Sequence, residues 1–378
     1  MINKNIFLIS LLAFFRRAPL FITYFYFPLI FLDFGFNGWQ IGILFSLFTI
    51  TALLFTLPTG ITNDIFSIKK LIIIGFLILF SFYFSLSLTQ NFWIYLILFF
   101  IGGLGVNITE TSLNSLILKI KTNTPGKKLG IYYTFAQFGI VIGTLIGGFL
   151  LTTFNVAIVF RNISYFFLIL VLISFFIPKT KTIKFEFLHY KKDILKKSVL
   201  LFVFVLFLLS LHWGAEAVAL SPFLETKLGL TKIGIGIYMA LSVLIMCIAA
   251  YIIGIKIDKN LDTKKALYVG LILSGIGHIL MTYPNYFFSI FWRFIHEIGD
   301  AIVGIIMLIG ITRLFNIDRI GGSASFVVTV MTMGMFFGSL IFSQIGYKLG
   351  YHIPLIFSGI LTLTAFLLAL YQRKSMYH

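Results

Sequence analysis

Long apolar runs alternate with short polar breaks along the whole chain, and cutting at the charged and turn-rich clusters leaves twelve apolar segments. They cover residues 5–32, 39–62, 71–89, 92–118, 129–153, 156–178, 198–224, 232–255, 266–283, 286–312, 323–347 and 352–371. A helix needs about 20 mostly apolar residues to cross a bilayer, so the pattern predicts twelve transmembrane helices and an all-α membrane protein. The longest polar stretch, PKTKTIKFEFLHYKKDILKK from Pro178 to Lys197, falls near the middle. It divides the chain into an N-terminal six-helix bundle (1–178), a cytoplasmic linker (179–197) and a C-terminal six-helix bundle (198–378). Within the linker, Phe187, Leu188, Ile194 and Leu195 alternate with lysines, a pattern that suits a short amphipathic helix on the inner leaflet.

Composition removes the soluble alternative. Of 378 residues 60% are hydrophobic and 11% charged, and the mean hydropathy of +1.05 exceeds what one soluble core needs. The net charge of +17 does not mark a nucleic-acid binder, because the basic residues are sorted by loop. With the amino terminus in the cytoplasm, 22 of the 29 lysines and arginines fall on the inner side, and only Arg161, Lys227, Lys232 and Lys348 fall outside. That bias predicts both termini cytoplasmic, with a prokaryotic cytoplasmic membrane as the expected location. The single Cys247 precludes an intrachain disulfide. The first apolar run is too long for a cleaved signal peptide.

An internal repeat supports the two halves. Gly60-Ile-Thr-Asn-Asp64 recurs as Gly254-Ile-Lys-Ile-Asp258, 194 residues on, and Asn91 recurs as Asn285 at the same spacing. Gly139 and Gly143 recur as Gly334 and Gly338, 195 residues on. At these residues the chain resembles the major facilitator superfamily. The resemblance implies two pseudo-symmetric six-helix bundles, alternating access and substrate held by spans 1, 4, 7 and 10. Gly60, Asp64, Lys69 and Lys70 match that family's loop between spans 2 and 3, although Ile65 and Ser67 replace an expected basic residue and glycine. The resemblance implies a gate at Asp64, with Lys69 and Lys70 beside it and Asp258 in the second copy. The fifth span, with Gly130, Gly139, Gly143, Gly147 and Gly148, is similar to that of drug-proton antiporters, except that Thr144 replaces their proline. Glycines at this spacing also pack helices whatever is carried, so Gly139, Gly143, Gly147, Gly334 and Gly338 are read as packing residues.

Charges inside spans are costly and are functional candidates by default. Here they are Arg16 and Arg17 in span 1, Glu110 in span 4, Glu216 in span 7, and Arg293, Glu297 and Asp300 in span 10. Counting about 1.5 Å per residue from the span ends puts the arginine pair at a level where it could meet Glu110, and Glu216 level with Arg293. Arg293, Glu297 and Asp300 share one helix side. Three cations against four carboxylates leave one carboxylate in excess, so Glu297 or Asp300, with Glu216 third, is the expected proton carrier. One of the two arginines lines the substrate path; the sequence does not say which. Asn107, Asn114, Gln137, His212, Trp213 and His296 are polar candidates to complete the site.

These features predict a secondary transporter, read first as proton-coupled efflux of a small lipophilic or cationic molecule. The alternative is proton-coupled import, exchange or flipping of an anionic substrate such as an organic acid, sugar phosphate or lysolipid, which paired arginines would recognise. The expected partners are substrate, protons and the bilayer, with the chain a monomer. An enzyme is not expected: His296-Glu297-Ile-Gly-Asp300 begins like the zinc motif H-E-x-x-H but has Asp300 in place of its second histidine. No Gly-rich phosphate loop is present either, and no cofactor or metal is expected.

Overall fold

The computed structural model of the chain describes residues 4–24, 26–36 and 38–371; Arg373 and Lys374 of the charge count lie outside them, as does the side chain of Lys232. Fourteen α-helices follow in order: α1 (Lys4–Thr23), α2 (Phe27–Asp33), α3 (Gly38–Ile65), α4 (Ile68–Leu86), α5 (Phe92–Lys119), α6 (Pro125–Thr153), α7 (Val156–Ser174), α8 (Phe187–Ile194), α9 (Lys197–Thr226), α10 (Lys232–Asp258), α11 (Thr263–Leu280), α12 (Tyr286–Leu314), α13 (Ile320–Leu349) and α14 (His352–Tyr371). All but α2 and α8 correspond to the twelve apolar segments. Eleven of these helices are long and apolar enough to cross a membrane. The remaining one, α11, has only 18 residues and carries Lys264, Lys265 and His278.

The first apolar segment is not one helix. The continuous run expected over 5–32 breaks after Thr23, where the Tyr26 amide donates to the Thr23 carbonyl at 2.9 Å and tightens the turn. Pro28, in the first turn of α2, has no N–H for the carbonyl one turn earlier, so one helix does not run unbroken through it. The linker does form a short helix, α8, with Phe187 and Leu188 exposed and Tyr190 and Asp193 buried.

The repeated asparagines prove to be helix caps. Asn91 Oδ1 accepts from the amides of Trp93 (2.9 Å) and Ile94 (3.3 Å) at the start of α5, and Asn285 Oδ1 from Phe288 (3.0 Å) at the start of α12. Both satisfy amides that the first helical turn leaves without partners.

Contacts divide the chain into two units. Unit 1 comprises Met1–Lys121, Phe135–Glu186 and Ile317–Phe326; unit 2 comprises Thr122–Thr134, Phe187–Asn316 and Val327–His378. In unit 1, α5 packs on α3 and α4, α4 on α7, and α7 on α1. In unit 2, α12 packs on α10 and α11, α11 on α14, and α14 on α9. The two packing orders correspond helix for helix, so the sequence repeat is a structural one. The core of unit 1 is a ring cluster in which Phe99 meets Phe27, Phe31, Phe48 and Phe82 with centroids 5.1–5.5 Å apart. The outer faces stay apolar: Trp93, Ile97, Leu172 and Phe291 are each more than half exposed, as suits helices whose outer surface meets lipid rather than water.

Candidate functional site

In unit 1 the site is set by how closely α1 approaches α6. A Cβ at Gly139, Gly143 or Gly147 would lie only 2.2–2.5 Å from the carbonyl oxygens of Phe14, Ala18 or Ile22. No side chain fits there, so the glycines allow the backbones to touch. Gln137, one helical step before this ridge, thereby reaches Arg17, whose Nη1 donates to Gln137 Oε1. Arg17 Nη2 pairs with Glu110 Oε1 at 2.9 Å, and Arg16 pairs with Glu110 Oε2. Arg16 is almost fully enclosed, whereas the Arg17 and Glu110 side chains keep 22% and 30% of their surface open. Two guanidinium groups share one carboxylate, leaving a net charge of +1 on a partly open site. Asn107 is committed elsewhere, donating to Thr56 Oγ1 at 2.6 Å and accepting from Thr59 Oγ1 at 3.3 Å. Asn114 is half-buried on α5.

Unit 2 has the opposite balance. Arg293 Nη1 and Nη2 both donate to Glu216, Nη2 to Oε2 at 3.3 Å, and Nη2 also lies 2.6 Å from Glu297 Oε1, one turn along α12. Asp300, a further turn on, is held by Ser274 Oγ (2.6 Å), Trp213 Nε1 (2.6 Å) and His212 Nε2 (3.2 Å). His296 Nε2 stands 2.9 Å from Glu216 Oε1 and 3.7 Å from Asp300 Oδ2, and His278 Nδ1 stands 3.4 Å from Glu216 Oε1. One arginine therefore faces three carboxylates, and three fully buried histidines fill the space between them. The side chains of His212, Glu216, His278 and His296 offer donor atoms that all lie within 4.8 Å of one another, a set that could hold a metal ion.

His278 is the functional candidate that sequence reasoning missed. It is the one ionisable group in the middle of the ninth apolar segment, and Ser274 lies one turn before it, facing the charged side of α12. That isolation was the available signal.

The repeated aspartates perform matching tasks. Asp64 accepts from the amides of Gly321 (3.0 Å) and Gly322 (2.7 Å) at the start of α13, within unit 1. Asp258 accepts from Gly126 (2.8 Å) and Lys127 (2.7 Å) at the start of α6, within unit 2. A carboxylate at a helix N-terminus meets unpaired amides and the positive end of the helix dipole. The lysine on Asp64 is Lys119, at 2.8 Å; Lys69 donates instead to the Phe175 carbonyl, and Lys70 is exposed. Gly334 and Gly338 lie against the Phe207 and Leu211 carbonyls of α9, repeating the approach of α6 to α1.

Twelve long helices in two units of matching packing, each with ionised side chains enclosed among apolar helices, describe a polytopic membrane carrier. The chain belongs to the major facilitator superfamily, whose family model matches residues 9–259 and 202–375. Members are integral membrane transporters that move small molecules by alternating access. No curated protein matches the sequence. Among solved structures, the human organic anion transporter MFSD10 (TETRAN) superposes with a TM-score of 0.82 at 14% identity, covering 97% of this chain and 98% of that one. FucP in the outward conformation gives 0.75 at 14% identity, covering 98% of each chain. A second structure of FucP, the E. coli fucose:proton symporter, gives 0.73 at 15%, covering 97% and 98%. At such identities the likeness is one of fold.

Proposed function

We propose that this transporter carries a small organic anion in a proton-coupled cycle. The observation that carries the reading is the unit 1 site, where Arg16 and Arg17 share Glu110 and a positive charge remains beside open surface. Guanidinium groups offer paired donors to a carboxylate or phosphate, and arginine keeps its charge at any physiological pH. Arg17, the more open of the two, is read as the substrate contact and Arg16 as its structural partner. The names of the similar structures, an organic anion transporter and a fucose:proton symporter, agree with this reading but speak of those proteins.

Coupling is assigned to unit 2. Three carboxylates against Arg293 leave two negative charges enclosed among apolar helices, and uptake of protons by the cluster removes that cost. Glu297 is read as the proton carrier, since its Oε2 is buried without a hydrogen bond while Asp300 accepts from Ser274 Oγ and Trp213 Nε1. Asp64 and Asp258 are read as gate residues that free the starts of α13 and α6 when they let go. The lysine and arginine bias supports cytoplasmic termini, and the exposed Phe187 and Leu188 support α8 lying on the inner leaflet.

Efflux of a lipophilic cation has less support. Its motif, the glycines of α6, is accounted for by packing on α1, and Gly334 and Gly338 do the same on α9.

The test uses purified protein in sealed liposomes with an internal pH dye. Small organic anions are expected to trigger proton movement, with the anion concentration needed raised about tenfold or more in Arg17→Gln. Proton movement triggered only by lipophilic cations would overturn the anion reading.

A further inference from the structure

Each of the three unit 2 histidines has one ring nitrogen committed to an oxygen outside the cluster. His212 Nδ1 meets the Leu209 carbonyl, and His296 Nδ1 meets the Ser274 carbonyl at 2.8 Å. His278 Nε2 meets Ser358 Oγ at 3.2 Å, and that hydroxyl in turn points at the Leu355 carbonyl at 3.1 Å, so the ring is the donor. A carbonyl accepts only, so the committed nitrogens carry the hydrogens. The remaining nitrogens, Nε2 of His212, Nε2 of His296 and Nδ1 of His278, then present lone pairs inward.

What they face are acceptors. His278 Nδ1 and His296 Nε2 are fully buried, make no aligned hydrogen bond, and point at Glu216 Oε1 from 3.4 and 2.9 Å. His212 Nε2 points at Asp300 Oδ2 from 3.2 Å. Lone pairs aimed at carboxylate oxygens repel until the ring takes up a second proton or a metal ion lies among them. The rings converge from three directions, with centroids 4.7–5.3 Å apart and planes 74–88° to one another. An imidazole with its outer nitrogen hydrogen-bonded to an oxygen and its inner nitrogen bare is how histidines are oriented for a metal.

We propose that unit 2 holds a divalent transition-metal site, with His212 Nε2, His278 Nδ1, His296 Nε2 and a Glu216 oxygen as ligands, suited to an ion of the Zn²⁺ class. Three imidazoles and one carboxylate match the donor preference of such ions, and hard all-oxygen ions such as Mg²⁺ are disfavoured. Bonds of 2.0–2.1 Å put tetrahedral ligands about 3.4 Å apart. The four donor atoms lie within 4.8 Å of one another, so side-chain adjustments close the site without moving a helix. Charge also closes: a divalent ion with Arg293 balances Glu216, Glu297 and Asp300. Arg293 keeps its bond to Glu216 Oε2 and its contact with Glu297 when Oε1 turns to the metal. The sequence motif at His296 lacked its second histidine because the other two come from α9 and α11.

The test titrates Co²⁺ into the untagged, chelator-treated full-length transporter in detergent, reading visible absorption. The expected result is one Co²⁺ per chain with the strong bands of four-coordinate cobalt, displaced by Zn²⁺ and lost in His278→Gln and His296→Gln. Ser358→Ala, which removes only the outer partner of His278, is expected to weaken binding about 10- to 100-fold. It also serves as the informative variant where a histidine substitution fails to fold. No saturable colour, or colour indifferent to all three substitutions, would overturn the proposal. The site goes beyond the transport reading, and anion-linked proton flux in chelator-treated liposomes separates the two. Flux without cobalt binding overturns the metal site alone; cobalt binding without flux overturns the transport reading alone.

Discussion

Units 1 and 2 share a packing order but not a charge. In unit 1, Arg16 and Arg17 share one carboxylate, and the group they form is partly open. In unit 2, Glu216 and Glu297 share Arg293, Asp300 lies a turn further along α12, and of this cluster only Glu216 and Trp213 are not fully buried. On the readings proposed here, a duplicated scaffold carries an anion-receiving site in one copy and a cation-receiving site in the other. What the copies hold in common is structural: the caps at Asn91 and Asn285, the clamps at Asp64 and Asp258, and the glycine ridges on α6 and α13. What separates them is the set of ionisable side chains on the innermost helices.

The strongest way to break this contrast is to remove the one arginine of the unit 2 cluster. Arg293→Met leaves Glu216 and Glu297 enclosed without their partner, and loss of one member of a buried pair costs about 3–5 kcal/mol. Thermal unfolding of the purified protein is expected to shift down sharply and transport to disappear. Removing one cation from unit 1 is milder. Arg17→Gln leaves Arg16 on Glu110, so unfolding is expected to change little while anion affinity falls about tenfold or more, the worth of a charged hydrogen bond. Equal thermal losses in the two variants would erase the proposed distinction.

Glu297→Gln sharpens the division of labour. It is expected to flatten the pH dependence of transport and leave the anion KM unchanged, whereas Arg17→Gln is expected to raise KM and leave the pH profile in place. Smaller effects compare the clamps. Asp64→Ala and Asp258→Ala are each expected to cost about 1–2 kcal/mol, the upper range for a helix cap. Asp64 is expected to cost more because it also loses Lys119. Hydrogen exchange should speed up at Gly321 and Gly322 for the first and at Gly126 and Lys127 for the second.

The smallest difference lies at Ser67 and Asp262, which occupy corresponding caps of α4 and α11. Ser67 makes no side-chain bond, whereas Asp262 accepts from the amides of Lys264 and Lys265 at 2.9 and 3.1 Å. Those bonds, that of Lys265 foremost, hold the Asp262 carboxyl below its ordinary range. A lowered carboxyl in the folded chain stabilises above the unfolded value of about 3.9 and is lost as pH falls through the folded one. The protection of amides at the start of α11, relative to their intrinsic exchange rate at each pH, should therefore fall in acid, that at the start of α4 should not respond, and Asp262→Asn should remove the difference.

Sequence alone determined the twelve apolar segments and the repeat, because bilayer thickness and the cost of bare backbone in lipid leave few other readings. It also singled out the charged residues inside spans, since their number is small and each is expensive. The break after Thr23 did not show in the apolar pattern, which runs unbroken through Pro28, and Asp64 turned out to meet Lys119 instead of Lys69. His278 showed in the sequence only as an isolated ionisable group in an apolar run. Its role depends on its neighbours, and those come from helices separated by tens of residues. Hydropathy is a local sum along the chain, whereas charge balance and ligand sets are sums over space, so only the tertiary structure joined three histidines, three carboxylates and one arginine into one site.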